Sequence, residues 1–162
     1  MTLQRRGSAH FFLALIFTIF LAAVSSAPAF AKTVVLDDSG TQALEPAVAL
    51  HWQSVAPRRS GSANQMVGST TFRVRVNVAP WLKRSARIYL QLPAQQAGPM
   101  TVSWSTQGKL LPGQLQPGNR VLVFSGVITR PYLEDEVTFQ FNVNGVLIKR
   151  AFPVNFQFLM DE

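Results

Sequence analysis

The sequence predicts an all-β protein, a single antiparallel β-sandwich that follows a cleaved secretory signal peptide. Three observations carry this prediction. An uncharged apolar run stands near the N-terminus, apolar and polar residues then alternate with a period of two, and turn-forming residues recur at intervals of about 8–12 residues. Such spacing is typical of a sandwich or a small barrel. We expect an immunoglobulin-like sandwich of about eight or nine strands.

The first 31 residues have the three-part layout of a secretory signal. Arg5 and Arg6 form the positive region, Phe11 to Val24 is apolar, and Ala29-Phe30-Ala31 fits the small-x-small rule for cleavage. The apolar run is shorter than the roughly 20 residues that a membrane-spanning helix needs. We therefore expect recognition of Ala29 and Ala31 and cleavage after Ala31. The mature domain, residues 32–162, is then exported to the periplasm, the cell surface or the extracellular medium, and is not integral to the membrane.

The composition of the mature chain suits one domain without disulfides. Removing 31 of the 162 residues leaves 131, enough to bury a core, and the sequence contains no cysteine. Without Arg5 and Arg6, 13 Lys and Arg residues stand against 8 Asp and Glu, a net charge of +5. A basic surface favours anionic partners such as acidic glycans or lipids. Nucleic acid is not expected as a partner of an exported protein.

Period-two alternation places the strands in order along the chain. The predicted strands are Thr33–Leu36, Ala47–Ser54, Thr70–Val78, Ala86–Leu92, Met100–Ser105, Arg120–Thr129, Glu136–Val143 and Val146–Arg150, followed by an apolar row from Phe152 to Phe158. Ala79-Pro80-Trp81 ends the third strand, because proline cannot donate to a ladder. Arg120–Thr129 is apolar on both faces, which predicts a central strand with a bulge at Gly126.

Turn and loop signals separate these strands. Arg58–Ser69 is rich in Ser, Gly and Arg and predicts a long loop, while Pro112-Gly113 and Pro117-Gly118 predict two turns. Asn144-Gly145 stands between alternating segments and predicts a two-residue type I′ hairpin, which needs positive φ at both positions.

The inward positions of the strands define the expected core. It comprises Trp52, Phe72, Val74, Val76, Ile88, Leu90, Val102, Trp104, Phe139, Phe141, Val154 and Phe156.

The sequence offers little chemistry for catalysis. His51 is the one histidine after the signal, no cysteine can join it in a metal site, and no Gly-x-Ser-x-Gly nucleophile motif occurs. Glu134-Asp135-Glu136 is the one notable acidic cluster. Its residues point to alternate sides of an extended chain, so they do not converge on an ion, and a solvated turn entering a strand is expected. We expect no catalytic residues, no metal and no cofactor, and hence no enzyme.

Arginine supplies the candidate binding residues. Arg73 and Arg75 lie two apart on one predicted strand, and Arg87 and Tyr89 lie two apart on the next. If the two strands pair as a hairpin, these four side chains form one outward stripe. Because guanidinium groups bind carboxylate and phosphate through two parallel hydrogen bonds, such a stripe suits an acidic glycan or a lipopolysaccharide phosphate.

The plan of a signal, a short N-terminal strand, a sandwich and the alternating aromatic row Phe152–Phe158 resembles small bacterial pilus or fimbria-associated proteins. The resemblance implies an immunoglobulin-like sandwich that acts through protein–protein contacts, and it transfers no functional residues. The expected function is a non-enzymatic interaction module of the envelope that pairs strands with other envelope proteins through Thr33–Leu36 or the C-terminal row. The alternative is an anionic-glycan or lipopolysaccharide binder that uses the arginine stripe.

Overall fold

The computed structural model describes residues 32–45, 47–53, 64–94, 100–146 and 155–162. Ten strands occupy most of these residues, and the described ranges contain no α-helix. The strands are β1 (Thr33–Val35), β2 (Gln42–Ala43), β3 (His51–Trp52), β4 (Gln65–Asn77), β5 (Ser85–Gln91), β6 (Met100–Thr106), β7 (Gly113–Leu115), β8 (Arg120–Val127), β9 (Tyr132–Asn144) and β10 (Gln157–Asp161). Across the described residues, no helix is both long and apolar enough to span a membrane.

The strands form two antiparallel sheets. A four-stranded sheet has the order β1-β10-β5-β8, and a six-stranded sheet has the order β2-β4-β9-β6-β7, with β3 also paired to β4. Buried apolar side chains of both sheets form one cluster, which includes Ile88, Leu90, Met160, Val76, Val102 and Phe139. The sheets therefore pack face to face in a β-sandwich arrangement, which confirms the predicted all-β class.

The predicted core is largely confirmed. Eight of its members are buried: Val74, Val76, Ile88, Leu90, Val102, Trp104, Phe139 and Phe141. Two more, Phe72 and Phe156, are half-buried and pack against the cluster. Phe139 stacks on Phe156 with ring centroids 4.5 Å apart. Trp52 is the wrong prediction, since 42% of it is exposed. Val154 lies outside the described residues.

β4 and β9 are longer than the sequence predicts. They pair over thirteen residues each, from Gln65 opposite Asn144 to Asn77 opposite Tyr132. The predicted loop Arg58–Ser69 is therefore wrong from Gln65 onward, and residues 58–63 lie outside the described ranges. Glu134-Asp135-Glu136 lies inside β9 and not in a turn. Continuous pairing between the two long strands overrides the weak strand propensity of Ser, Gly, Asp and Glu.

β8 is an edge strand of the four-stranded sheet, so the predicted central strand at Arg120–Thr129 is wrong. The expected bulge at Gly126 is also displaced. The register shift lies between Ile88 and Tyr89 of β5, which face Phe124 and Leu122, so that Val123 is the extra residue of β8.

The Asn144-Gly145 prediction is wrong in its turn type. Positive φ occurs elsewhere in the described chain, at Lys83, Gly118 and Gly126. Instead, the N–H of Val146 donates to Oδ1 of Asn144 over 3.1 Å. The glycine is needed for close approach, because a Cβ at Gly145 would lie 2.5 Å from the Trp52 ring. The predicted return strand lies outside the described residues beyond Val146.

The two Pro-Gly signals have different outcomes. The turn at Pro117-Gly118 is confirmed, with φ of 87° at Gly118 and a hydrogen bond of 3.0 Å from Asn119 N–H to Gln116 O. At Pro112-Gly113 the turn is wrong, because Gly113 begins β7 and pairs with Trp104.

Candidate functional site

The predicted arginine stripe is divided between the two sheets. Arg73 and Arg75 lie on β4 of the six-stranded sheet, whereas Arg87 and Tyr89 lie on β5 of the four-stranded sheet. The stripe required β4 and β5 to pair as a hairpin. Instead, a 3-10 turn at Ala79–Trp81 carries the chain from one sheet to the other. The four side chains therefore do not form one site, and this prediction is wrong.

On the six-stranded sheet, the arginines lie beside acidic and aromatic residues of β9. Nε of Arg75 is 3.2 Å from Oε1 of Glu134, and its guanidinium lies 4.0 Å from the centre of the Tyr132 ring. Arg73 is opposite Glu136 in the strand register. A neighbouring carboxylate competes with any anionic ligand for these guanidinium groups.

On the four-stranded sheet, Tyr89 contacts an arginine that the sequence did not single out, and a carboxylate occupies this arginine as well. Arg120 lies with its guanidinium 4.6 Å from the centre of the Tyr89 ring and donates to both carboxylate oxygens of Asp161, over 2.9 and 3.2 Å. No sequence signal links Arg120 to Asp161, since the pair arises only when β5, β8 and β10 assemble.

Asp135 is a buried carboxylate with a structural role. It accepts hydrogen bonds from the main-chain N–H groups of Leu110, over 2.8 Å, and Gln107, over 3.2 Å. It thereby ties the connection between β6 and β7 to β9. Glu134 and Glu136 lie on the opposite face of β9, as the predicted alternation requires.

His51 lies exposed on β3, opposite Val67 of β4. Within the described ranges, no three His, Asp or Glu side chains are arranged to hold a metal ion.

β1 is a short outer strand that is held at both ends. Among the described strands its neighbour is β10. Leu36 N–H donates to Phe158 O over 2.8 Å, and Lys32 O accepts from Glu162 N–H over 3.0 Å. Oγ1 of Thr33 donates to Asp161 over 2.8 Å. This hydrogen bond, followed by the interaction with Arg120, lowers the pKa of Asp161. We call these contacts of β1 with Asp161 the N-terminal latch.

The C-terminal row is paired where it enters β10. β10 lies between β1 and β5, so both of its sides are paired. This row could offer a free edge only where it is unpaired. Phe158 accepts a hydrogen bond from Leu36 and pairs with Leu90, so it is covered on both sides, whereas Gln157 pairs with Gln91 alone among the described residues. Phe152 to Val154 lie outside the described residues.

The second half of β8 is an open strand edge among the residues that the structure describes. Ile128 N–H donates to Arg84 O over 2.9 Å and Ile128 O accepts from Lys83 N–H over 2.8 Å, so residue 128 bonds toward β5. Because main-chain groups alternate in direction along an antiparallel strand, those of Ser125 and Val127 point away from β5. No other described strand pairs with this side of β8.

The first half of β8 is covered. Leu111 N–H donates to Val123 O over 2.7 Å, so the chain entering β7 occupies that part of the edge. The accessible segment is therefore Phe124–Val127, which we call the open edge. Its last residue, Val127, is 56% exposed.

A cleft with a partly apolar lining lies between the sheets beside the open edge. Its lining includes the buried residues Val78, Ile88, Ile128 and Leu133, and its volume is about 140 Å³. An apolar cavity of ~150 Å³ accepts a benzene ring. The cleft therefore has room for one large apolar side chain.

The rim of this cleft is basic. Lys109 and Arg130 line it, and neither forms an ion pair with any residue that the structure describes. Glu134 also lines it but pairs with Arg75. The rim therefore favours acidic groups beside whatever enters the cleft.

Comparison with known proteins finds no matching family model, no similar curated protein and no similar solved structure.

Proposed function

We propose that this chain is an exported, non-enzymatic interaction module of the bacterial envelope, an immunoglobulin-like sandwich that binds a partner protein by strand pairing. The observation that carries the proposal is the open edge Phe124–Val127, which adjoins a cleft lined in part by buried apolar residues. An unpaired strand edge offers a row of N–H and C=O groups on which an extended peptide adds as a further strand. The partner strand would hydrogen-bond to Ser125 and Val127.

The cleft supplies selectivity to this mode of binding. In strand addition the main-chain bonds provide affinity, whereas pockets for alternate side chains provide specificity. One large apolar side chain of the partner would fill the cleft above Ile88 and Leu133. Acidic residues flanking that side chain would face Lys109 and Arg130 at the rim.

The partial cover of β8 also supports pairing with a specific partner strand rather than non-specific pairing with many strands. Natural proteins shorten, bulge or cover edge strands to prevent uncontrolled pairing. Here the Val123 bulge and the Leu111 bond protect the first half of β8, which leaves a short accessible segment. A short edge next to a shaped cleft favours one partner over many.

The cellular setting of the proposal rests on the sequence. The N-terminal signal favours export, and the plan of the chain resembles pilus or fimbria-associated proteins, so a structural or assembly component of a surface appendage is the proposed role. The alternative, an anionic-glycan or lipopolysaccharide binder, has less support, because its four residues lie on two different sheets.

The mass of the exported protein tests export, with an N-terminus at Lys32 expected.

Matched proline variants test the binding mode. Ser125→Pro removes an outward N–H from the open edge, and Val35→Pro does the same at β1, the other edge of this sheet. Both proteins are used to capture partners from an envelope extract at about 1 M salt, where screening shortens electrostatic reach to about 3 Å. A captured protein that is retained by Val35→Pro and lost by Ser125→Pro supports the proposal. Retention by Ser125→Pro refutes pairing at β8, and loss only in Val35→Pro moves the interface to β1.

A further inference from the structure

We infer that the outer face of the six-stranded sheet is a separate binding site for an uncharged, polyhydroxylated ligand, a neutral glycan. This site lies on a different sheet from the open edge and does not depend on the proposed strand pairing. Its residues belong to β3, β4, β9, β6 and β7, and apart from His51 none of them is a candidate site residue in the sequence.

Two rows of side chains cross this part of the sheet, and all of them except Val67 are polar. The first row crosses β7, β6, β9 and β4, and its members in that order are Gln114, Ser103, Gln140 and Ser69. The second row crosses β6, β9, β4 and β3, and its members in that order are Thr101, Asn142, Val67 and His51. We call these eight residues the neutral face. They line a shallow depression of about 520 Å³.

The polar groups of the neutral face are available. Among the hydrogen bonds between described residues, none involves the side chains of Gln114, Ser103, Gln140 or Asn142. The neighbouring row differs, since Thr71 and Thr138 bond to each other over 3.0 Å. The neutral face therefore presents amide and hydroxyl groups that have no partners among the described residues, on a backbone that β-sheet pairing holds rigid.

The chemistry of these groups matches that of a sugar. Side-chain amides donate and accept hydrogen bonds within one group, and hydroxyls also do both. A sugar hydroxyl has the same dual capacity, so it can bond to two neighbouring residues of a row. An ionised phosphate or carboxylate only accepts hydrogen bonds, so the amide oxygens of these side chains would find no donor on it.

The distribution of charge favours an uncharged ligand. Apart from His51, no residue of the neutral face has an ionisable side chain, although the sequence has a net charge of +7. Among the described strand residues on this side of the sheet, the charged ones lie in the other half, where Arg75 pairs with Glu134 and Arg73 lies opposite Glu136. An anionic polymer would be attracted to basic groups elsewhere and would find no counter-charge on the neutral face.

Affinity electrophoresis through gels that contain neutral polysaccharides tests this inference. The probes are an α-glucan, a β-glucan and a galactomannan, with alginate as an acidic comparison. The test variant is Gln140→Ala/Asn142→Ala, and the control is Arg73→Ala/Arg75→Ala, which alters the charged half of the same face. Because one neutral hydrogen bond contributes about 0.5–1.5 kcal/mol, each lost side chain should weaken binding by about two- to tenfold.

The expected result is retardation by at least one neutral polysaccharide that is insensitive to about 0.5 M salt, is lost in Gln140→Ala/Asn142→Ala and is kept in Arg73→Ala/Arg75→Ala. Passage through all three neutral gels without retardation overturns the inference. Equal retardation of the test variant also overturns it, because the neutral face would then not be the site. Retardation confined to alginate and abolished in the arginine variant assigns binding to the charged half instead.

Discussion

Asp135 shows how one side chain can organise a loop that contains no regular structure. Its carboxylate is buried and accepts the N–H groups of Leu110 and Gln107. Hydrogen bonds to a charged group contribute about 1.5–3 kcal/mol, and an unpaired buried donor costs about 1–3 kcal/mol. We therefore expect Asp135→Ala to reduce the free energy of unfolding by about 2–4 kcal/mol in a urea titration.

Glu134→Ala is the matched control for this prediction. Glu134 is adjacent in β9, but its side chain is 62% exposed and makes a surface ion pair with Arg75. Such pairs contribute about 0–1 kcal/mol. Equal effects of the two variants would contradict a structural role for the Asp135 carboxylate.

Gly145 has a role that differs from the one its sequence suggests. A Cβ there would lie 2.5 Å from the Trp52 ring and 2.8 Å from Cγ of Met66. Overpacking of this kind costs about 1–3 kcal/mol. We expect Gly145→Ala to destabilise the protein within that range and to shift Trp52 fluorescence toward the value for a solvated indole.

A double-mutant cycle separates crowding from backbone effects at this position. If the ring causes the cost, Gly145→Ala should be nearly neutral in a Trp52→Ala background. An undiminished cost in that background would point to the backbone and contradict the crowding explanation.

For single residues, the sequence predicts the face of the strand on which a side chain lies more reliably than it predicts whether that side chain is buried and what it contacts. Alternation placed Glu134 and Glu136 on one face of an extended chain and Asp135 on the other, as observed. It did not predict that Asp135 is buried, because its partners come from a connection more than twenty residues away. The link between Arg120 and Asp161 was missed for the same reason.

Among the elements, the N-terminal latch should respond to acid. The folded pKa of Asp161 is lowered, first by its hydrogen bond with Thr33. A carboxyl group with a lowered folded pKa adds stability that is fully present above its unfolded value, here 3.8, and is lost as the pH falls through the lowered folded value. We therefore expect β1 to detach from β10 below about pH 4, before the sandwich unfolds.

Nuclear magnetic resonance signals of Val34, followed from about pH 6 to pH 2, measure this detachment. The Val102 signal reports on the six-stranded sheet and is the internal reference. Asp161→Asn keeps an acceptor for Thr33 but does not titrate, so β1 should lose its acid sensitivity. Identical pH profiles for the original chain and for Asp161→Asn would contradict the latch.

The sequence predicts most strands but not their partners. Alternation located β5, β6 and the buried face of β4, because one side of each strand faces the core. It did not predict that β4 and β5 belong to different sheets, since the turn at Ala79–Trp81 looks the same locally whether the chain folds back or crosses over. The error in the arginine stripe follows from that single unpredicted crossing.

For the whole molecule, the fold class can be predicted because it depends on features that are visible in the sequence itself. The period-two pattern and the frequent turns predicted an all-β chain, and two packed antiparallel sheets confirm it. The candidate sites depend instead on which strands become edges and which rows align. The open edge of β8 was mistaken for a central strand, because Val121 to Phe124 are apolar on both faces. Within that run Val123 is buried, and Val121 and Phe124 pack against the core on either side of the bulge.

Hydrogen–deuterium exchange of the partner complex tests strand pairing at β8 most directly. The amide hydrogens of Ser125 and Val127 point away from β5, so they should exchange rapidly in the isolated protein. A bound strand would accept hydrogen bonds from them, and their exchange should slow by at least tenfold while that of Val35, on β1, stays unchanged. Unchanged exchange at Ser125 and Val127 in a saturated complex, or protection at Val35 instead, would contradict the account.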